Sequence, residues 1–184
     1  MNEDKITAYH EAGHIVVNAN FGRCVRNCDI LTGEKNGRAD WFLDNEEIIF
    51  QRPLPGNFSP INTGLISREP LWKDNLLTLA AGSEAASIYL EMQDCATALD
   101  EEEGINDIEQ MMELINRNSQ GHRCQELIQK SRVEVRSLLK KEHMWNAVDT
   151  FATLLIEQKG IWNGRLPEKH REILIDLITK KVKT

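Results

Sequence analysis

The sequence predicts a mainly α protein with one small β-hairpin, and three observations support this class. Apolar residues recur at helical spacing over most of the chain. One short segment combines strand-like residues with an Asn-Gly turn. Four of the five prolines lie between residues 53 and 70, outside the helical patterns. With 184 residues and 41% hydrophobic content, we expect a single domain over residues 1–184.

The first helix and the hairpin come early in the chain. Apolar residues on one face predict a helix over residues 6–20. Gly13 costs this helix about 1 kcal/mol relative to alanine, which predicts a close approach by another element. Residues 24–31 and 39–43 are the expected strands, joined by a turn at 32–37 and packed beside the helix.

The remaining segments are predicted from proline, glycine and apolar spacing. Residues 44–70 are an irregular Pro/Gly-rich loop, either an ordinary surface insertion or a lid over a cleft. Helices follow at 71–92 and 106–116, the second with Asn106 as its N-cap. Residues 120–184 form a C-terminal helical part with a break near Glu142-His143.

Composition excludes several classes of protein. The net charge of −7 argues against a nucleic-acid partner. No apolar run reaches the roughly 18 residues that a membrane span needs, and no basic-then-hydrophobic segment resembles a signal peptide. We therefore expect a cytoplasmic protein with reduced cysteines. Cys24 and Cys28 are expected to be structural thiols, with a second metal or redox site as the alternative.

The run Tyr9-His10-Glu11-Ala12-Gly13-His14 is an H-E-x-x-H motif. Residues four apart on a helix overlie one another, so His10 and His14 would present two imidazoles to one metal ion. Glu11 would lie close enough to deprotonate a metal-bound water. The motif predicts a catalytic zinc site with Glu11 as the general base.

A catalytic zinc ion needs a third protein ligand, and the sequence offers several. The candidates are the other histidines (His122, His143, His170), the cysteines and the carboxylates Glu84 and Asp107. Asp107 would lie in the first turn of its helix. Met111 and Leu114, four and seven residues later, would lie on the same side of that helix and face the core. Its alternative role is to complement the helix dipole.

The stretch Thr7 to Val16 resembles the H-E-A-G-H helix of the FtsH-type proteases, which are zinc endopeptidases normally joined to an AAA+ ATPase and a membrane anchor. Residues 79–86 and 104–108 resemble two later segments of that family. The resemblance extends over approximately residues 4–155. It implies an FtsH peptidase-domain-like helical zincin fold, with Asp107 as the third zinc ligand beside His10 and His14.

The resemblance also implies a function. We expect a stand-alone zinc metalloendopeptidase that hydrolyses peptide bonds of unfolded or flexible polypeptides, with strand 24–31 adding to an extended substrate. The sequence shows no phosphate-binding loop of an ATPase, so a separate ATPase partner is possible, as is a homo-oligomer. The alternatives are a non-catalytic adaptor that keeps its zinc site and a zinc hydrolase acting on a small amide.

Overall fold

The computed structural model describes residues 3–21, 25–30, 37–41, 68–94, 105–118, 120–158 and 173. These residues are mainly helical, which confirms the predicted class. The helices are α1 (Glu3–Asn20), α2 (Arg68–Met92), α3 (Ile105–Arg117), α4 (Cys124–Leu139) and α5 (Glu142–Gln158), with a 3₁₀ turn at Gly121–Arg123. β1 (Val25–Ile30) and β2 (Gly37–Trp41) form the expected antiparallel hairpin. Among the described helices, none has the length and apolarity to cross a membrane.

Two of the expected helix starts are wrong. α2 begins at Arg68, so the last three residues of the expected 44–70 loop are helical. Pro70 is compatible with this start because the first-turn N–H groups of a helix lack intrahelical partners anyway. α3 begins at Ile105, so Asn106 belongs to its first turn and is not its N-cap.

The C-terminal part is helical as far as residue 158, and the break between its helices falls at Lys140-Lys141. Beyond residue 158, Ile173 is half-buried and packs against the main core. The predictions for residues 44–67, for Cys24 and for the side chain of Cys28 lie outside the described residues. Cys124 is a free, half-buried thiol.

α1 is the central helix of the fold. α2 and α5 pack against it, and both strands of the hairpin also lie beside it. A helix surrounded in this way is apolar on most of its sides. Its buried apolar residues are Ile6, Ala8, Ala12, Ile15, Val16, Val17 and Ala19.

Gly13 allows α1 and α2 to approach closely. A Cβ at this position would lie 2.4 Å from the carbonyl oxygen of Ala81 and 2.7 Å from Cβ of Ala85. No side chain fits there without moving the α2 backbone, which confirms the prediction made from the cost of this glycine. Ile6 packs near Leu90, whereas His14 reaches Thr78, so the two helices run antiparallel.

An aromatic cluster joins α1 to α2 and α5 beside the histidine motif. The ring of Tyr9 stacks on Tyr89 with 4.0 Å between centroids, and Trp145 lies 5.8 Å away. The Tyr9 hydroxyl donates a hydrogen bond to the carboxylate of Asp149 on α5. Burial, together with this carboxylate, raises the pKa of Tyr9 well above its usual range. The hydroxyl of Tyr9 therefore remains neutral and donates its proton to Asp149. This hydrogen bond holds α5 against α1 at the position just before His10.

Glu84 ties α2 to α4. Its side chain is buried, and its two carboxylate oxygens accept hydrogen bonds from Arg132 Nε at 2.7 Å and Arg136 Nη1 at 2.8 Å. Both carboxylate oxygens of Glu84 therefore form ion pairs between α2 and α4. This arrangement assigns Glu84 a structural role and removes it from the candidate metal ligands.

We expect Glu84→Ala to lower the free energy of unfolding by about 2–3 kcal/mol, because two arginines lose their buried carboxylate partner. The control is Glu113→Ala, which breaks an exposed pair with Arg117 within α3 and should cost less than about 0.5 kcal/mol. Chemical denaturation measures both values. Equal effects of the two substitutions would contradict a structural role for the buried pair.

Candidate metal centre

Three side chains from α1 and α3, two helices that are far apart in the sequence, converge at one point. His10 and His14 extend from successive turns of α1, and Asp107 extends from the first turn of α3. The two Nε2 atoms lie 3.1 Å apart. Oδ2 of Asp107 lies 3.1 Å from Nε2 of His10 and 3.3 Å from Nε2 of His14. The three atoms form a nearly equilateral triangle.

This triangle has the size that a tetrahedral zinc ion requires. With bonds of about 2.0–2.1 Å, two ligand atoms of a tetrahedron lie roughly 3.3–3.4 Å apart. Two imidazole nitrogens and one carboxylate oxygen are also a ligand set found at catalytic zinc sites, where the fourth position is left open. His10, His14 and Asp107 therefore fit the group in both geometry and chemistry.

Gly82 of α2 leaves space at the same point. A Cβ on this residue would lie 2.4 Å from Nε2 of His14 and 2.5 Å from Nε2 of His10. Any side chain would thus occupy the volume where the Nε2 atoms of His10 and His14 meet. Glycine at position 82 therefore leaves this volume empty, with room for a metal ion between the two imidazoles.

A hydrogen bond to α2 orients the second imidazole. Nδ1 of His14 donates to the backbone carbonyl oxygen of Thr78 at 2.7 Å, because that oxygen can only accept. In the neutral ring, Nε2 then carries the lone pair that a metal binds. Metal-binding histidines in proteins commonly have such a partner, which sets the ring's tautomer and direction.

The charges at the site are strongly coupled. Burial alone would lower the pKa of His14, but Asp107, Glu11 and the Thr78 carbonyl together raise it to about 9. Burial has the opposite effect on Asp107, yet the adjacent His14 and His10 hold its pKa well below its usual range. The carboxylate thus remains an anion directed at two imidazoles. A metal cation bound there would replace the proton that these groups otherwise share.

Oδ2 of Asp107 supports the same assignment. This oxygen is buried, and within the described part of the chain it makes no hydrogen bond of regular geometry. Both imidazole nitrogens nevertheless lie within 3.3 Å of it. Such an arrangement of three electron-pair donors around one point is typical of a metal site.

Glu11 lies next to the cluster without belonging to it. The residue is buried, with 4% of its surface exposed, and it follows His10 on α1. It precedes His14 by three residues, which places the two side chains on neighbouring positions of the helix surface, and its negative charge contributes to the raised pKa of His14. The position suits a base that acts beside a metal ion rather than a fourth ligand.

Two of the other histidines predicted as possible ligands, His122 and His143, do not join the cluster. His122 is exposed in the 3₁₀ turn, His143 is half-buried on α5, and His170 lies outside the described residues. Within the described ranges, His10, His14 and Asp107 are the group whose ligand atoms all lie within 4.8 Å of one another. Gly82 is not among the predicted site residues. It lies in a run of small residues, 80–83, which is typical of tight helix packing and does not by itself indicate a metal site.

Comparison with known proteins provides no relative for this chain: no family model, no curated protein and no solved structure matches it. The similarity to the FtsH-type proteases is therefore one of local motifs, above all residues 7–16 and 104–108. The support for a metal centre comes from the distances among His10, His14 and Asp107.

Proposed function

We propose that this protein is a zinc-dependent metallopeptidase that hydrolyses peptide bonds of unfolded or flexible polypeptides. The observation that carries the proposal is the triangle of His10, His14 and Asp107, with sides of 3.1–3.3 Å, next to the buried Glu11. The proposal includes an FtsH peptidase-domain-like helical zincin fold. The mainly α fold, the hairpin beside α1 and the order of the site residues support it.

Nε2 of His10, Nε2 of His14 and Oδ2 of Asp107 would hold the zinc ion. Zinc in this position would supply polarisation of the scissile carbonyl and would lower the pKa of a water molecule toward 7. Glu11 takes a proton from the attacking water as the new C–O bond forms. The same carboxyl then gives that proton to the amine nitrogen as the C–N bond breaks. The products are a carboxylic acid and an amine, which balances the addition of one water.

The hairpin supports a polypeptide as the substrate. Both strands lie beside α1, the helix that carries His10, Glu11 and His14. Among the described strands, β1 and β2 pair only with each other, so the outer edge of each strand faces no other described strand. An extended peptide adds to such an edge through main-chain hydrogen bonds. This mode selects flexible segments over folded ones.

The proposal extends to the setting of the enzyme. We propose a cytoplasmic protease that acts, as a monomer or a homo-oligomer, on accessible segments or on segments received from a separate ATPase. Co-purification with an ATPase from the source cells would test the partner, and the mass in solution would test the assembly.

The purified chain should contain about one zinc ion and cleave casein or an unstructured peptide library. A chelator should remove the metal and the activity together, and added zinc should restore both. Elemental analysis and mass spectrometry of the products are the measurements. A protein that binds zinc without cleaving any peptide would instead be a non-catalytic adaptor. A protein that binds no zinc would overturn the metallopeptidase proposal.

A further inference from the structure

Asn18 is a buried amide without a partner. None of its surface is exposed, and within the described residues neither Nδ2 nor Oδ1 has a hydrogen-bond partner. Leaving a buried polar group unpaired costs about 1–3 kcal/mol. A leucine of similar volume would avoid that cost. The amide therefore calls for an explanation beyond packing.

The position of Asn18 on α1 relates it to the catalytic residues. It lies four residues after His14 and seven residues after Glu11. Seven residues correspond to about 700° of rotation and about 10.5 Å of rise, so Asn18 and Glu11 share one side of the helix. Thr7, four residues before Glu11, lies on the same side of the helix. These four residues are also the buried polar residues described on α1.

This polar stripe, composed of Thr7, Glu11, His14 and Asn18, does not face α5. Tyr9 contacts α5 through Asp149, and nine residues of helix place Asn18 half a turn around the axis from Tyr9. Gly13, which marks the tightest approach of α2, is rotated by about 140° from Asn18. Within the stripe, His14 contacts α2 through Thr78, whereas Asn18 is rotated away from both Tyr9 and Gly13. The stripe includes the candidate base and a candidate ligand.

We propose that Asn18 binds the main chain of the polypeptide substrate, so that the substrate extends along α1 from Glu11 toward the C-terminal end of the helix. A primary amide donates and accepts, which matches the alternating N–H and C=O groups of an extended peptide. A separation of about 10.5 Å corresponds to about three residues at 3.3 Å per residue. The inference deepens the proposed peptidase function and rests on it.

The burial of Asn18 is consistent with this role. Glu11 and His14 are covered to nearly the same degree, with 4% and 2% of their surfaces exposed. A peptide that lies along this side of α1 must therefore displace whatever covers all three residues. Opening the site for catalysis makes the amide of Asn18 accessible at the same time.

The test compares Asn18→Leu and wild type, both loaded with zinc, on peptides that extend one to five residues to either side of one cleaved bond. For peptides reaching three or more residues to one side, we expect Asn18→Leu to raise KM about 5- to 10-fold with kcat unchanged. For peptides that stop short on that side, KM should not change. Zinc content should equal that of wild type.

Asn18→Ala serves as a second variant in case leucine perturbs packing, and Asn116→Leu on the exposed side of α3 is the matched control. A KM that is unchanged for every length, or raised equally for short and long peptides, overturns the role of Asn18. In both cases, cleavage of the short peptides by wild type shows that the proposed peptidase function still holds. Wild type that cleaves none of the peptides overturns both proposals.

Discussion

Replacing Glu11 by glutamine is expected to lower kcat for peptide hydrolysis by about 10²–10⁴-fold, the usual contribution of a general base. Glutamine has nearly the same shape but cannot accept the proton of the attacking water. The three atoms that would hold zinc belong to His10, His14 and Asp107, so the variant should retain about one zinc per chain. Steady-state kinetics and elemental analysis of the same sample measure the two quantities.

The control for this substitution is Glu113→Gln on α3. Glu113 is an exposed carboxylate paired with Arg117, and its amide should leave both activity and zinc content unchanged. Peptidase activity of Glu11→Gln at the wild-type level would refute the general-base assignment. Loss of zinc from the same variant would show that Glu11 binds the metal instead.

Asp107→Ala should weaken zinc binding by more than about 100-fold, because changes to the residues that only support metal ligands already cost 10- to 100-fold. The alanine removes the one carboxylate oxygen of the triangle and leaves two imidazoles, which do not complete a catalytic site. Competition with a fluorescent zinc chelator measures the affinity. Activity should fall in proportion to the zinc that is lost.

Glu84→Gln is the matched control for Asp107→Ala. From the sequence, both carboxylates are candidate third ligands, but the structure pairs Glu84 with Arg132 and Arg136. The Glu84 variant should bind zinc with wild-type affinity, although its stability is lower. Equal zinc affinity in Asp107→Ala and wild type would exclude Asp107 as the third ligand.

Much of the fold follows from local sequence patterns. The spacing of apolar residues predicts α1, α2 and α3 to within a few residues, because a helix forms from contacts three and four residues apart. The Asn-Gly turn similarly predicts the hairpin. The errors fall at helix ends, as with Pro70 and Asn106, where the first turn has no intrahelical hydrogen bonds to distinguish it from the preceding chain.

The sequence by itself determines the pair His10 and His14, with Glu11 beside it, since two residues four apart on a helix meet wherever that helix packs. The spacing of residues alone leaves histidines, cysteines and other carboxylates as candidates for the third ligand, and the resemblance to the FtsH-type proteases implies Asp107 among them. Asp107 lies far along the chain from His14, and its carboxylate reaches the imidazoles only when α3 is placed against α1. That placement depends on side-chain packing across three helices, including the room left by Gly13 and Gly82. Tertiary contacts between distant residues therefore decide which carboxylate completes the site, and which polar residue, Asn18, is left without a partner among the described residues.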